Sequence, residues 1–110
     1  MAERRPRTPE EGRQPESQEI PKALFEMGRI VMTTGAIETL TRVGRHPVQL
    51  LARHVTGDWG DLPEEDIQEN ACSLRQGYRL LSAYRIEDAK FYVITEWDRS
   101  VTTILLPSEY

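Results

Sequence analysis

The sequence predicts an α+β domain in which two to three short helices pack on an antiparallel sheet of three to four strands. Two observations lead to this fold class. Apolar residues recur at helical spacing in the middle of the chain, and glycine or proline stands at the ends of these stretches. The last third is rich in β-branched and aromatic residues and is divided by two hairpin-sized turns. The order strand, helices, strands favours helices segregated to one side of a sheet.

The first elements are a short strand over residues 29–33 and a helix over residues 36–43. Thr34 is predicted to cap this helix at its start, because a hydroxyl side chain can accept a hydrogen bond from the first free N–H groups. Gly44 fits the position just past the end of the helix.

Two more helices follow before the chain changes to a β pattern. Pro47 suits the first turn of the second helix, which Gly57 ends. A third helix is predicted over residues 63–75, with Asp61 and Glu64 in a capping arrangement. The predicted buried stripes are Val48, Leu51 and Val55 on the second helix, and Ile67, Ala71 and Leu74 on the third.

The C-terminal third is predicted to form a β-meander. Its strands cover residues 78–86, 90–97 and 101–106. Both faces of the strands are partly apolar, so one face is expected to pack on the helices and the other to be half covered by loops. The strand near Ile30 is the candidate for a fourth.

The domain is predicted to span residues 23–110, behind a disordered tail formed by residues 1–22. The tail contains four of the seven prolines and five basic and five acidic residues, with almost no apolar ones. Such a segment cannot bury enough surface to offset the entropy that ordering costs.

Charge and composition exclude several classes of function. The net charge is −4 and falls on the domain, which argues against nucleic acid, since a basic stripe supplies most of that affinity. No apolar run is long enough for a membrane span, and no targeting segment is recognisable, so we expect a cytoplasmic protein. The single cysteine, Cys72, allows no internal disulfide, and neither a metal site nor a cofactor is expected.

The stretch from residue 28 to residue 110 resembles a family of small bacterial proteins found often on plasmids and other mobile elements. Matching segments lie at residues 35–40, 50–62, 79–84, 93–96 and 98–107. Trp97 departs from the family pattern, which more often has a small residue there. Members often carry the label "type I restriction endonuclease subunit M" or "plasmid-related protein".

The methyltransferase activity in the first label does not fit this sequence. Such a subunit needs a glycine-rich turn for S-adenosylmethionine and an Asn-Pro-Pro-aromatic motif for the flipped base. Neither motif is present. The resemblance therefore implies a mobile-element setting without implying that chemistry.

Two places in the sequence are candidate functional sites. His54 and Asp58 are four residues apart. They form either a general base oriented by a carboxylate or a helix-terminal histidine beside a turn aspartate. The sequence places no Ser or Cys beside them as a nucleophile. Trp97, Asp98 and Arg99 occupy a hairpin tip whose side chains are expected to face outward, and tryptophan and arginine are enriched at binding hot spots. Trp59, between two glycines, is expected to be the buried anchor of its loop instead.

These observations lead to a non-enzymatic protein-interaction module as the main functional hypothesis. The family's genomic associations imply a modulating role in host restriction or another defence system. The alternative is a small hydrolase or transferase that uses His54 with Asp58. A third hypothesis is a nucleic-acid binder that uses the tail arginines Arg4, Arg5, Arg7 and Arg13.

Overall fold

The structure is a computed structural model and describes residues 22–110. The segment predicted to be a disordered tail, with its four arginines, therefore lies outside the described residues except for Lys22. The described part contains three α-helices and four strands, and the predicted α+β class is confirmed. In chain order the elements are β1 Arg29–Met32, α1 Thr34–Val43, α2 Pro47–Val55, α3 Glu64–Gln76, β2 Leu80–Ile86, β3 Ala89–Thr95, β4 Val101–Leu105 and a 3₁₀ turn at Pro107–Glu109.

The four strands form one sheet in the order β1-β4-β3-β2. β2, β3 and β4 make the predicted antiparallel meander, with Leu80 opposite Thr95 and Tyr92 opposite Leu105. β1 joins as the fourth strand but runs parallel to β4, so the sheet is mixed and not wholly antiparallel. Three helices and two strands separate β1 from β4, and no tight hairpin turn forces those two strands to run in opposite directions.

The hydrophobic core lies between one face of the sheet and helices α1 and α2. Alternate residues of each strand point to this face, which is why the core residues of the strands are two apart in sequence. The buried cluster consists of Ala36, Leu40, Leu50, Tyr84, Ile86, Ala89, Phe91, Val93 and Ile104.

Several helix details differ from the sequence-based expectations. Thr33, not Thr34, caps α1, and α3 begins after Pro63 without any side-chain cap from Asp61. The residues that α2 buries are Leu50 and His54, whereas Val48 is exposed. These two residues are four apart and lie on one helical face just as the predicted stripe does, so helical spacing alone could not choose between them.

Helix α3 also buries a different face from the predicted one, with Asn70 and Ser73 turned inward. The reason lies at the outer edge of β2, which α3 covers. The side-chain amide of Asn70 donates to the carbonyl oxygen of Leu81 at 2.7 Å, and its oxygen accepts from the Leu81 N–H at 3.2 Å. A neighbouring strand would make the same pair of bonds, so Asn70 helps to close an edge that would otherwise be open for pairing.

The loop after α2 closes the next part of the same edge. The Ala83 N–H donates to the carbonyl oxygen of Trp59 at 3.0 Å, and the Asp61 N–H donates to the carbonyl oxygen of Ala83 at 2.6 Å. Gly60, between them, has a φ of +76°, and a Cβ there would collide with the Ala83 carbonyl. Only glycine fits this approach without strain.

Candidate functional site

His54 lies at the inner face of α2, and its side chain is 0% exposed. Its ring bridges two strands of the sheet. Nδ1 lies 2.6 Å from Ser82 Oγ on β2, and Nε2 lies 2.9 Å from Thr95 Oγ1 on β3. Thr95 stands opposite Thr102 on β4, and their hydroxyl oxygens are 2.6 Å apart.

The direction of every bond in this chain of hydroxyls follows from its last member. Thr102 Oγ1 donates to the carbonyl oxygen of Met27 at 2.7 Å, which uses its one hydrogen. Thr102 therefore accepts from Thr95, and Thr95 accepts from His54 Nε2–H. Nδ1 is then the unprotonated nitrogen and accepts from Ser82. The network assigns a neutral His54 with its proton on Nε2.

The surroundings of His54 stabilise this neutral form. Burial is the largest cause, and the positive charge of Arg99 adds to it; together they lower the pKa of His54 from 6.5 to about 4. The ring packs edge-on against Phe25, with centroids 5.2 Å apart, and against Trp59 at 5.8 Å. Protonating the ring would need a second donor bond, which Ser82 could accept only by redirecting its own hydrogen.

The structure does not bring His54 and Asp58 together as a pair. Both ring nitrogens of His54 are occupied by hydroxyls. The Asp58 carboxylate instead accepts from Arg53 Nε at 2.7 Å, and this hydrogen bond lowers the pKa of Asp58. The Asp58 carbonyl accepts from the Tyr84 hydroxyl at 2.7 Å, so Asp58 secures its loop to the sheet.

The hydroxyl partners of His54 were missed by sequence reasoning. Ser82, Thr95 and Thr102 are fully buried on the core face of three neighbouring strands. A signal was available, because each is a polar residue two positions from a core residue of its own strand. What the sequence does not contain is the strand register that aligns the three hydroxyls with one histidine.

Trp59 is buried, with 9% of its surface exposed, as the sequence predicted. Its ring stacks on Phe25 at a centroid distance of 6.3 Å. The loop from Gly57 to Asp61 is thus held by an indole on one side and by its bonds to β2 on the other.

The hairpin tip between β3 and β4 contains the three predicted binding residues in different environments. Trp97 is 66% exposed. Asp98 is also exposed, and its carboxylate accepts from both the N–H and the hydroxyl of Ser100, which lowers the pKa of Asp98. Arg99 has a φ of +61° and is half-buried.

The guanidinium of Arg99 points back onto the fold and not outward toward a partner. Its Nη1 lies 2.7 Å from the Tyr78 carbonyl oxygen and also reaches those of Glu96 at 3.1 Å and Trp97 at 3.2 Å. Its Nη2 donates to the Ser73 carbonyl at the end of α3, at 3.2 Å. The C-terminal end of a helix carries partial negative charge, so a cation there is favoured. These hydrogen bonds of Arg99 connect the hairpin tip to α3, so the exposed Trp97 lies on a rigid turn.

A groove of about 290 Å³ lies between α3 and the start of β2, next to this tip. Its lining includes the half-buried Leu62 and Leu81 and the buried polar residues Asn70 and Ser73. Asp66 and Glu69 line it from α3, and Tyr78 and Arg79 line it from the segment that leads into β2. Tyr78 is 57% exposed and connects the groove to the tip, because Arg99 binds the carbonyls of Tyr78 and Trp97 with the same nitrogen.

Within residues 22–110, no three His, Cys, Asp or Glu side chains are grouped so that they could hold a metal ion. Of the helices that the structure describes, none has the length and apolar character needed to cross a membrane.

The fold and its surface thus define a small α+β domain with a buried histidine network and an exposed aromatic tip beside a groove. Comparison of the chain with protein-family models, with curated proteins and with solved structures found no match.

Proposed function

We propose that this chain is a non-enzymatic protein-interaction module and that its docking surface is centred on Trp97. The observation that carries the proposal is an exposed tryptophan on a turn that Arg99 ties to four main-chain carbonyls. Binding hot spots are enriched in tryptophan. A rigid support lowers the entropy lost when such a side chain is immobilised by a partner.

The surroundings of His54 favour this proposal over the hydrolase or transferase alternative. A general base must be within reach of a substrate proton. His54 is fully buried, and both of its nitrogens already have hydroxyl partners. Its contacts join α2 to two strands, and Thr95 extends the network to a third, which is a structural role.

The charge of the described residues favours a protein partner over nucleic acid. Acidic residues outnumber basic ones in this part of the chain, whereas nucleic-acid binding depends on clustered Lys and Arg. The resemblance to plasmid-borne proteins supports a partner from the host or the plasmid. On that basis the module modulates host restriction or another defence system.

The test is a capture experiment with the tagged full-length chain in host lysate, followed by quantitative mass spectrometry. The variant Trp97→Ala is compared with the control Val48→Ala. Val48 is also apolar and exposed, but it lies on α2, away from the hairpin tip. Losing a hot-spot tryptophan costs about 2 kcal/mol or more of binding free energy, so we expect Trp97→Ala to reduce partner recovery at least about tenfold. Val48→Ala should recover the same partner as the wild type. The melting temperatures of both variants should be close to that of the wild type. Equal recovery by Trp97→Ala and the wild type would overturn the proposal.

A further inference from the structure

The groove beside Trp97 combines three features that point to one kind of ligand. Its interior is partly apolar, since Leu62 and Leu81 are half-buried there. Asp66 and Glu69 are three residues apart on α3, lie on the same side of the helix and both line the groove. The third feature is Ser73, a buried serine that also lines the groove.

Only 3% of the surface of Ser73 is exposed, and its side chain ends in a hydroxyl. The main-chain carbonyl of Ser73 is fully used, since it accepts from Gly77, Tyr78 and Arg99. Among the described residues, none makes a hydrogen bond with the Ser73 hydroxyl. Buried polar groups are normally hydrogen-bonded, so the unpaired hydroxyl of a residue that lines a groove marks a place where a ligand's polar group can be accepted.

We propose that the groove binds an arginine side chain from an extended segment of the partner protein, an inference that rests on the proposed function. The aliphatic stem would lie against Leu62 and Leu81, as arginine stems do on apolar surface. The guanidinium would pair with the Asp66 and Glu69 carboxylates and donate to Ser73 Oγ. Arginine suits this site better than lysine because its planar fork presents several donors in fixed directions.

Arg79, which also lines the groove, has another partner. Its guanidinium donates to the Tyr110 hydroxyl at 2.7 Å, and it forms no ion pair with either carboxylate. Asp66 and Glu69 have no ion pair with another described residue. The negative charge of the two carboxylates is therefore available to a ligand cation.

The first test uses a defined probe, the capped tripeptide acetyl-Leu-Arg-Leu-amide, titrated into the full-length chain and followed by amide NMR. We expect saturable shift changes at Ser73, Tyr78 and Arg79. The same peptide with citrulline, which keeps the shape and loses the charge, should bind at least about tenfold more weakly, because hydrogen bonds to charged groups contribute about 1.5–3 kcal/mol.

Matched variants of α3 distinguish binding in the groove from a general attraction of the peptide to acidic side chains. Asp66→Asn with Glu69→Gln should abolish the response to the arginine peptide. Glu64→Gln with Glu65→Gln removes two charges from the same helix outside the groove and should leave the response unchanged. Equal loss in both double variants, equal binding of the citrulline peptide, or saturable shifts confined to another surface would each overturn the proposal.

Two further outcomes distinguish this inference from the proposed function. If Asp66→Asn with Glu69→Gln still captures the partner and Trp97→Ala does not, the interaction module stands and the groove proposal fails. If Trp97→Ala captures the partner as the wild type does, the proposed function itself fails. A third outcome concerns a variant in which Arg4, Arg5, Arg7 and Arg13 are changed to glutamine. If the groove resonances of this variant differ from those of the wild type without peptide, the chain's own tail fills the groove, and the proposal is overturned.

Discussion

The layer between the sheet and its helices has two halves that are equally buried but built differently. On β3 and β4, the neighbouring pairs Val93–Ile104 and Thr95–Thr102 point to the same face, one pair after the other. The first pair belongs to an apolar cluster under α1 and the start of α2. The second belongs to the hydroxyl network that surrounds His54.

This difference shows that one sheet face can be stabilised by two kinds of interaction. The apolar half depends on the area removed from water and on filled volume, which are insensitive to pH. The polar half depends on every donor meeting an acceptor, because a buried polar group that loses its partner costs more than the bond itself contributed. The following experiments separate the two halves, from the largest expected effect to the smallest.

The largest effect is expected from Phe91→Ala in the apolar half. Phe91 is fully buried in the core cluster. Removing its ring should lower the free energy of unfolding by about 3–5 kcal/mol, through lost burial and the cavity left behind. Urea denaturation at neutral and at mildly acidic pH should give the same difference from wild type. Ile37→Ala, an exposed position on α1, is the control and should change stability by no more than about 0.5 kcal/mol.

The next effect is a pH dependence that comes from the polar half. The pKa of His54 is about 4 in the folded protein and 6.5 when unperturbed. Between those values the unfolded chain binds a proton that the folded chain does not, so stability falls as the pH is lowered from 6.5 toward 4. The loss should approach roughly 3 kcal/mol, at about 1.4 kcal/mol per pKa unit. Above pH 6.5 this residue contributes no slope.

A comparison with His54→Gln isolates this effect from the carboxylates. The variant cannot take up the proton, so its unfolding free energy should lack the slope between pH 6.5 and 4, whatever its absolute stability. If the unfolding free energies of the wild type and the variant change in parallel with pH, His54 is not held neutral by the network.

A smaller effect is expected from Thr95→Val, which keeps the shape of the side chain and removes its hydroxyl. His54 Nε2–H loses its acceptor and Thr102 loses its donor. We expect a loss of about 1–3 kcal/mol in chemical denaturation, the cost of buried groups left unpaired. Thr103→Val, on the opposite face of β4 and half-buried, should be nearly neutral. A neutral Thr95→Val would remove the distinction between the halves.

The smallest effect is expected from Thr95→Ser, which keeps the hydroxyl and removes one methyl group. Burial of that group contributes about 0.8 kcal/mol. The variant should retain the pH dependence of the wild type and most of its stability. A loss as large as that of Thr95→Val would assign the role of Thr95 to packing and not to hydrogen bonding.

Local chemistry allowed much of the fold to be predicted. Gly44 and Gly77 end helices in the left-handed conformation that glycine adopts most easily, and Pro47 stands in the first turn of α2. The β-branched pattern of the last third correctly predicted the meander. Each of these features depends on residues close together in the chain.

By itself, then, the sequence determined the α+β class, the main helices and strands, and the burial of Trp59, because backbone preference and periodicity act over short distances. Only the tertiary structure decided the parallel pairing of β1, the inward face of α3 and the partners of His54 and Arg99. Asn70 turns inward because the edge of β2 lacks a strand, and Arg99 folds back because the partial negative charge at the end of α3 favours a cation. Polar side chains are placed by groups distant in sequence that need a partner, and no local pattern records where those groups will lie.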